Sequence, residues 1–312
     1  MNAPFPPKAS PLAIVWNSPI LLLGLTALIW AGHSIVGRLA TGQIGPMTLT
    51  AGRWSLAFAP ILAAAWKDLR QDAPKLVERW PYVAAMGAIG YTGFNALFYV
   101  AAHSTSAINI SIIQGIVPAV VLIGAYAWLK APVGPRQALG AFATILGVAV
   151  IACQGEPSKL LGLAFNHGDL LMVAATLIYA LYTLGLAKRP DVKPFSLLAG
   201  FAFAALVTSL PLAAWEIATG GFVAPTATGY FALAYAAIGP AFVSQALFMR
   251  GVELIGPGRA GVYVNLVPVF GAVLGVALLG EAFHLYHLAA LALVAGGVWL
   301  AQSGAKRNVR SQ

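Results

Sequence analysis

Ten long apolar runs decide what this chain can fold into. They fall at residues 19–38, 46–66, 80–102, 106–129, 135–153, 167–187, 195–218, 226–250, 257–280 and 284–302. A helix rises 1.5 Å per residue, so about 20 apolar residues cross a hydrocarbon core about 30 Å thick. Backbone groups find no water inside lipid, which makes each spanning run a helix. A β-barrel would need shorter segments of strict alternation, and the runs do not alternate. The expected fold class is an all-α integral membrane protein of ten transmembrane helices. The first run is too long and too Trp-rich for a signal peptide, and no small-residue cleavage site follows it. Before it, residues 1–18 hold four prolines and read as a loose tail.

Composition excludes the other broad classes. Hydrophobic residues make up 60% of the 312 and charged residues 9%, where soluble domains carry roughly 25% charged residues. A soluble enzyme, a disordered chain and an ordinary nucleic-acid binder are all ruled out. The net charge of +9 does not reverse this, because the basic residues sit in short clusters between apolar runs. That pattern sets orientation, since Lys and Arg concentrate in cytoplasmic loops. With the N-terminus inside, all but Arg38, Arg53 and Lys159 of the 18 Lys and Arg lie in inside segments. Both termini are therefore expected in the cytoplasm, which independently requires an even number of spans. The single cysteine, Cys153, permits no intrachain disulfide and no Cys-based metal site. No metal and no cofactor are expected.

The runs repeat. Residues 114–152 align with 264–302 at an offset of 150 without a gap, pairing Val117 with Val267, Pro118 with Pro268, Leu129 with Leu279, and Gly147-Val148 with Gly297-Val298. Leu28-Ile-Trp-Ala31 matches Leu177-Ile-Tyr-Ala180. Pro46-Met-Thr-Leu-Thr-Ala-Gly52 matches Pro194-Phe-Ser-Leu-Leu-Ala-Gly200. Ala88-Ile-Gly90 matches Ala237-Ile-Gly239, and Ala96-Leu-Phe98 matches Ala246-Leu-Phe248. Single apolar matches arise by chance; an ordered series is an internal duplication. Five helices per copy is an odd number, so the second copy enters the membrane inverted. The expected organisation is a cytoplasmic tail (1–18), repeat one with helices 1–5 (19–153), and an external linker (154–166). Repeat two with helices 6–10 (167–302) and a second cytoplasmic tail (303–312) follow. Inverted repeats suit alternating access about a midplane site, which points to a secondary transporter.

The residues that carry a family likeness are Trp30-Ala-Gly-His33, Pro46 with Ala51-Gly-Arg53, and Val267-Pro268 with Leu279-Gly-Glu281. Together with the duplicated five-helix unit they resemble the EamA family of the drug/metabolite transporter superfamily, over about residues 20–302. Within it the chain looks most like YddG-type bacterial amino-acid exporters. The resemblance implies ten helices, cytoplasmic termini, a bacterial inner membrane and export of small metabolites. Aromatic and other neutral amino acids would be among the cargo. One departure stands out. Family members often end the fourth helix with a glutamate, as Glu281 ends the ninth; here Lys130-Ala131 stand there. A symmetric pair of acidic gates is thereby put in question.

Polar side chains within spans usually face the bundle or a water-filled path. Trp30 and His33 share one face of the first helix, and Tyr179 and Tyr182 share the matching face of the sixth. They read as opposite walls of a cavity, or as packing and interfacial aromatics. Tyr91, Asn95 and Tyr99 form a stripe in the third helix; Gln245 lies in its counterpart. Such a stripe either stacks on and hydrogen-bonds a substrate or joins helices. Gln114, Tyr263 and Asn265 neighbour Pro118 and Pro268, the expected kink points. Arg53 would suit a substrate carboxylate, or would snorkel or bond backbone carbonyls instead. No carboxylate sits mid-span, and His33 is the one mid-span group titrating near neutrality. Facilitated diffusion and His33-linked proton exchange both remain open. Gly271 and Gly275 form a packing face within the chain or between two chains, so monomer and homodimer are both possible.

Rival classes lack their marks. No HExxH, CxxC or phosphate loop is present, and Gly32–Gly37 lacks the second glycine of a nucleophile elbow. No carbonyl filter or charged ring suggests a channel. Phosphorylated sugars or nucleotides would want several inward cations, and cationic drugs a buried carboxylate. The expected partners are thus neutral amino acids and the lipid bilayer, not nucleic acid.

Overall fold

A computed structural model of the chain describes residues 15–308, apart from 131, 157, 159–165, 256–259 and 262. The expected tail over 1–14, most of the external linker, the start of the ninth run and the last four residues lie outside the described residues. Every regular element among them is helical, and no strand occurs. Six helices are long and apolar enough to cross a membrane: Pro19–Leu39, Trp80–Ala101, Ala107–Trp128, His167–Lys188, Pro194–Ala218 and Ala227–Ile255. Three apolar helices are shorter: Pro135–Ile151, Leu266–Leu279 and Leu285–Ala301.

In chain order the elements are α1 (Pro19–Leu39), α2 (Pro46–Glu78), α3 (Trp80–Met86), α4 (Phe94–Ala101), α5 (Ala107–Gln114) and α6 (Val117–Leu129). Then follow α7 (Pro135–Ala152), α8 (His167–Gly185), α9 (Pro194–Ala218), α10 (Ala227–Ile238), α11 (Ser244–Ile255), α12 (Leu266–Leu279) and α13 (Leu285–Asn308). Proline stands first or second in α1, α2, α3, α6, α7 and α9, where its fixed φ fits and its missing N–H is not needed. Helix α2 departs from its expected end at residue 66. It continues to Glu78, 33 residues in all, because Lys67, Arg70 and their neighbours are good helix formers. Loss of apolarity ends a lipid-facing stretch, not a helix.

Two runs contain interruptions that periodicity does not reveal. A π-helical turn at Gly87–Gly93 joins α3 to α4, and another at Gly239–Val243 joins α10 to α11. They occupy corresponding places in the two halves. Pro240 in the second has no N–H for an α-helical bond, and glycines flank the first; both loosen the ladder. The fourth run breaks at Gly115–Ile116, and the ninth turns at Val264–Asn265. At the 150 offset these breaks overlap, one residue out of step. Each precedes its matched proline, Pro118 or Pro268, whose ring excludes the bond to the carbonyl four residues back.

The halves pack as counterparts. α1 lies against α11 and α12, while α8 lies against α4 and α6. The two self-matched contacts, α2 with α9 and α7 with α13, are the most extensive. Both pairs are antiparallel. At one end of α2, the Glu216 carboxylate of α9 accepts from the Met47 and Thr48 backbone N–H groups, each at 2.9 Å. At the other, Asp72 accepts from Lys193 N at the start of α9, also at 2.9 Å. Carboxylates belong there, since helix N-termini carry unpaired donors and a partial positive charge. Gly45 makes room: a Cβ there would lie 2.2 Å from Glu216 Oε2. Gly271 and Gly275 face Ser111 and Ile108 of α5, so this small-residue face packs within the chain.

Glu281, just after α12, caps α5 through Ala107 N at 2.7 Å and Ile108 N at 3.0 Å. The residue before it, Gly280, has φ +64°. At the matched position Lys130 takes φ +54° and is exposed. The backbone turn is kept in both halves; the carboxylate is present in only one.

Candidate functional site

The breaks, the π turns and α1 and α8 converge on a cavity of about 190 Å³ inside the bundle. Nine of the expected contact residues line it: Trp30, His33, Tyr91, Asn95, Gln114, Tyr179, Tyr182, Gln245 and Asn265. Pro118 and Pro268 line it too. α1 and α8 supply their pairs, as the sequence suggested, and the matched breaks bring Gln114 and Asn265 to the same space. Tyr99 and Tyr263 are not part of the wall. Tyr99 is fully buried behind His33, to which it is bonded at 2.8 Å. Asn95 and Tyr99 keep a shared face of α4, since Arg53 Nη1 reaches both, but Tyr99 lies one turn farther on, where the His33 ring covers it. Tyr263 is half-buried just before the turn at Val264–Asn265.

One wall is aromatic. Trp54 and Tyr91 stack with centroids 4.7 Å apart and planes 6° apart. Tyr91 meets Tyr182 at 5.5 Å, Tyr182 meets Tyr179 at 5.5 Å, and Tyr179 meets Phe94 at 5.1 Å. Offset and tilted aromatic contacts of this kind are favourable beyond their buried area. Trp54 and Phe94 were not among the residues singled out from the sequence. In α2 and α4, the step from run to cavity depends on neighbours that one helix's periodicity cannot supply.

Above this wall sits a polar cluster centred on Arg53, which is only 5% exposed. Its Nη1 donates to Asn95 Oδ1 at 2.5 Å, His33 Nε2 at 2.9 Å and the Tyr99 hydroxyl at 3.2 Å. A guanidinium can only donate, so His33 Nε2 accepts and the ring proton sits on Nδ1. The His33 ring stacks on Phe98 at 4.4 Å. Arg53 therefore neither snorkels nor relies on backbone carbonyls; α2 holds it inward against α1 and α4. A buried arginine two turns into an apolar run is costly, and such residues mark functional sites by default. No Asp or Glu forms a salt bridge with it among the described residues; the ion pair found there is Arg250–Glu253.

A second, more polar cleft lies beyond this cluster, at the end of the bundle where Glu281 caps α5. It is lined by Arg38, His103, Asn109, Glu281 and His287 among others. Asp169 accepts from Thr105 and from Asn109 Nδ2, and Asn109 Oδ1 pairs with His287 Nε2 at 3.2 Å. No group of His, Cys, Asp and Glu suited to hold a metal exists among the described residues.

Two halves packed as counterparts around a polar and aromatic cavity have the form of a multi-pass membrane transporter. A family model described as the EamA-like transporter family matches residues 17–153 and again residues 166–302. The chain belongs to the EamA-like transporter family. It is 27% identical over 302 residues to the uncharacterized transporter YyaM of Bacillus subtilis, covering 93% of this chain and 95% of that one. It is 27% identical over 286 residues to an uncharacterized transporter of Archaeoglobus fulgidus, covering 90% and 96%. A solved crystal structure at 20% identity superposes with a TM-score of 0.63, covering 92% of this chain and 97% of that one. At that identity the likeness is one of fold alone. Membership makes this a membrane transporter.

Proposed function

We propose that the protein exports neutral amino acids, aromatic ones included, across a bacterial inner membrane by alternating access. Two inverted five-helix repeats, ten spans in all, rock about the cavity, with both termini in the cytoplasm. The Glu216 and Glu281 end of the bundle then faces outward and the Asp72 end inward. The observation that carries this reading is the cavity's chemistry: an aromatic wall for an apolar side chain, faced by Gln114, Gln245, Asn265 and His33. Trp30 and the four tyrosine and tryptophan rings offer area at little entropic cost, and the amides offer donors and acceptors. The paired breaks before Pro118 and Pro268 supply the points about which the halves flex.

Transport down a concentration gradient fits better than proton exchange at His33. Protonating Nε2 would cost its bond from Arg53 and place two cations in contact. Cells expressing the chain and loaded with a tryptophan- or threonine-containing dipeptide should release the free amino acid faster than cells expressing Trp30→Ala. Equal release from both would contradict the assignment.

A further inference from the structure

We infer that Arg53 is the cavity's receptor for a carboxylate, so that the cargo must carry one. This rests on the cargo reading above and narrows it. Arg53 lines the cavity and is buried. Its three hydrogen bonds all leave from Nη1 and all end on neutral groups. Its Nε–H, buried, has no acceptor among the described residues. No carboxylate among the described residues pairs with it. The nine carboxylates of the chain are committed or distant. Glu216 and Glu281 cap helices, Asp72 bonds Lys193, and Asp169 bonds Thr105 and Asn109. Glu253 pairs with Arg250. Asp68, Glu78 and Asp191 sit beyond the apolar runs, and Glu156 lies in the expected linker between the repeats.

A second donor nearby is also without a partner. The Trp54 indole N–H is buried, lines the same cavity and has no acceptor. The guanidinium carbon lies 5.1 Å from that ring's centroid. Burying a donor without an acceptor is unfavourable; burying a cation without a counter-charge is more so. Both costs are met by a ligand with planar, anionic, acceptor-only oxygens. His33, Asn95 and Tyr99 fix Nη1 and so orient the Nε edge of the fork. That edge matches a carboxylate with two parallel N–H donors. An ammonium or amidine without a carboxylate would meet an uncompensated cation instead.

Binding to the purified full-length protein by titration calorimetry tests this. The probes are tryptophan, tryptophanamide, tryptamine and indole-3-propionate. Wild type should bind tryptophan and indole-3-propionate roughly ten- to a hundredfold more tightly than tryptamine or the amide, the range expected for a charge-assisted pair. Arg53→Gln should lose that preference, and Arg53→Lys, which keeps charge but not the fork, should regain part of it. Equal binding of tryptophan and tryptamine by wild type would overturn the inference while leaving the aromatic cargo reading standing. Indole-3-propionate bound in an Arg53-dependent way without tryptophan would do the reverse. The wild-type preference needs no variant, so a misfolded Arg53→Gln does not spare the inference.

Discussion

Gly140 of α7 and Gly297 of α13 meet backbone to backbone. A Cβ on Gly140 would lie 2.3 Å from the Gly297 carbonyl oxygen, and one on Gly297 would lie 2.5 Å from that of Gly140. The 150-residue offset turns this pair into Gly147 and Ala290, and Gly147 indeed packs against the Ala290 carbonyl, at 3.0 Å from its would-be Cβ. One crossing thus contains the duplication. Gly140→Val should destabilise the fold by at least the roughly 1–3 kcal/mol typical of overpacking, with no local repair, because the obstacle is backbone. Gly296→Ala, one position away and facing open space, should be neutral or stabilising. Thermal unfolding in detergent compares them.

Tyr99 stands behind the cavity wall and acts through His33 and Arg53. Tyr99→Phe keeps the buried ring and deletes the hydroxyl that bonds both. Losing a buried bond to a charged group costs about 1.5–3 kcal/mol. Transport should fall by at least tenfold, and the melting temperature should fall by several degrees with it. Tyr263→Phe, away from the wall, should leave transport unchanged.

The carboxylate caps joining the halves are separable. Glu281→Gln should speed hydrogen exchange at the Ala107 and Ile108 amides roughly fivefold, as loss of about 1 kcal/mol of capping implies. The Met47 and Thr48 amides, held by Glu216, should be unaffected. Glu216→Gln should give the converse pattern. Exchange read by mass spectrometry on overlapping peptides distinguishes two independent latches from one cooperative face.

Asp72 carries a pH dependence. Its hydrogen bond from Lys193 N, with help from the charges of Lys75 and Lys193, holds its carboxyl below the ordinary carboxylate range, against the opposing effect of burial. A depressed folded pKa means the unfolded chain binds the proton first. The contribution is therefore fully present above the ordinary value near pH 4 and fades as pH falls through the folded one. Wild type should melt higher than Asp72→Asn at pH 7, and the gap should close in acid. A gap that widened in acid would contradict the assignment.

The sequence made the helical, duplicated architecture legible because lipid imposes long runs and duplication leaves an ordered series. Gly147 and Gly297, read as a matched pair, turn out to belong to the central crossing. The charged extension of α2 was not legible, since an apolarity criterion stops at Trp66 where the helix does not. The π turns were hidden because their cause is local ladder geometry around Gly87 and Pro240, not a period. Arg53 showed a usable signal, a lone charge with no acid three or four residues away. Its inward direction depends on Asn95 and Tyr99 from another helix, which no single-helix pattern contains. Trp54, its neighbour, had no signal apart from its position.

Efflux from proteoliposomes tests the central claim most directly. Vesicles preloaded separately with radiolabelled tryptophan, threonine, a sugar and a cationic dye are followed with and without an imposed pH gradient. The account predicts efflux of tryptophan and threonine, abolished by Trp30→Ala in folded protein and insensitive to the gradient. Efflux of the dye or the sugar alone would contradict it, leaving the family and the fold but not the cargo.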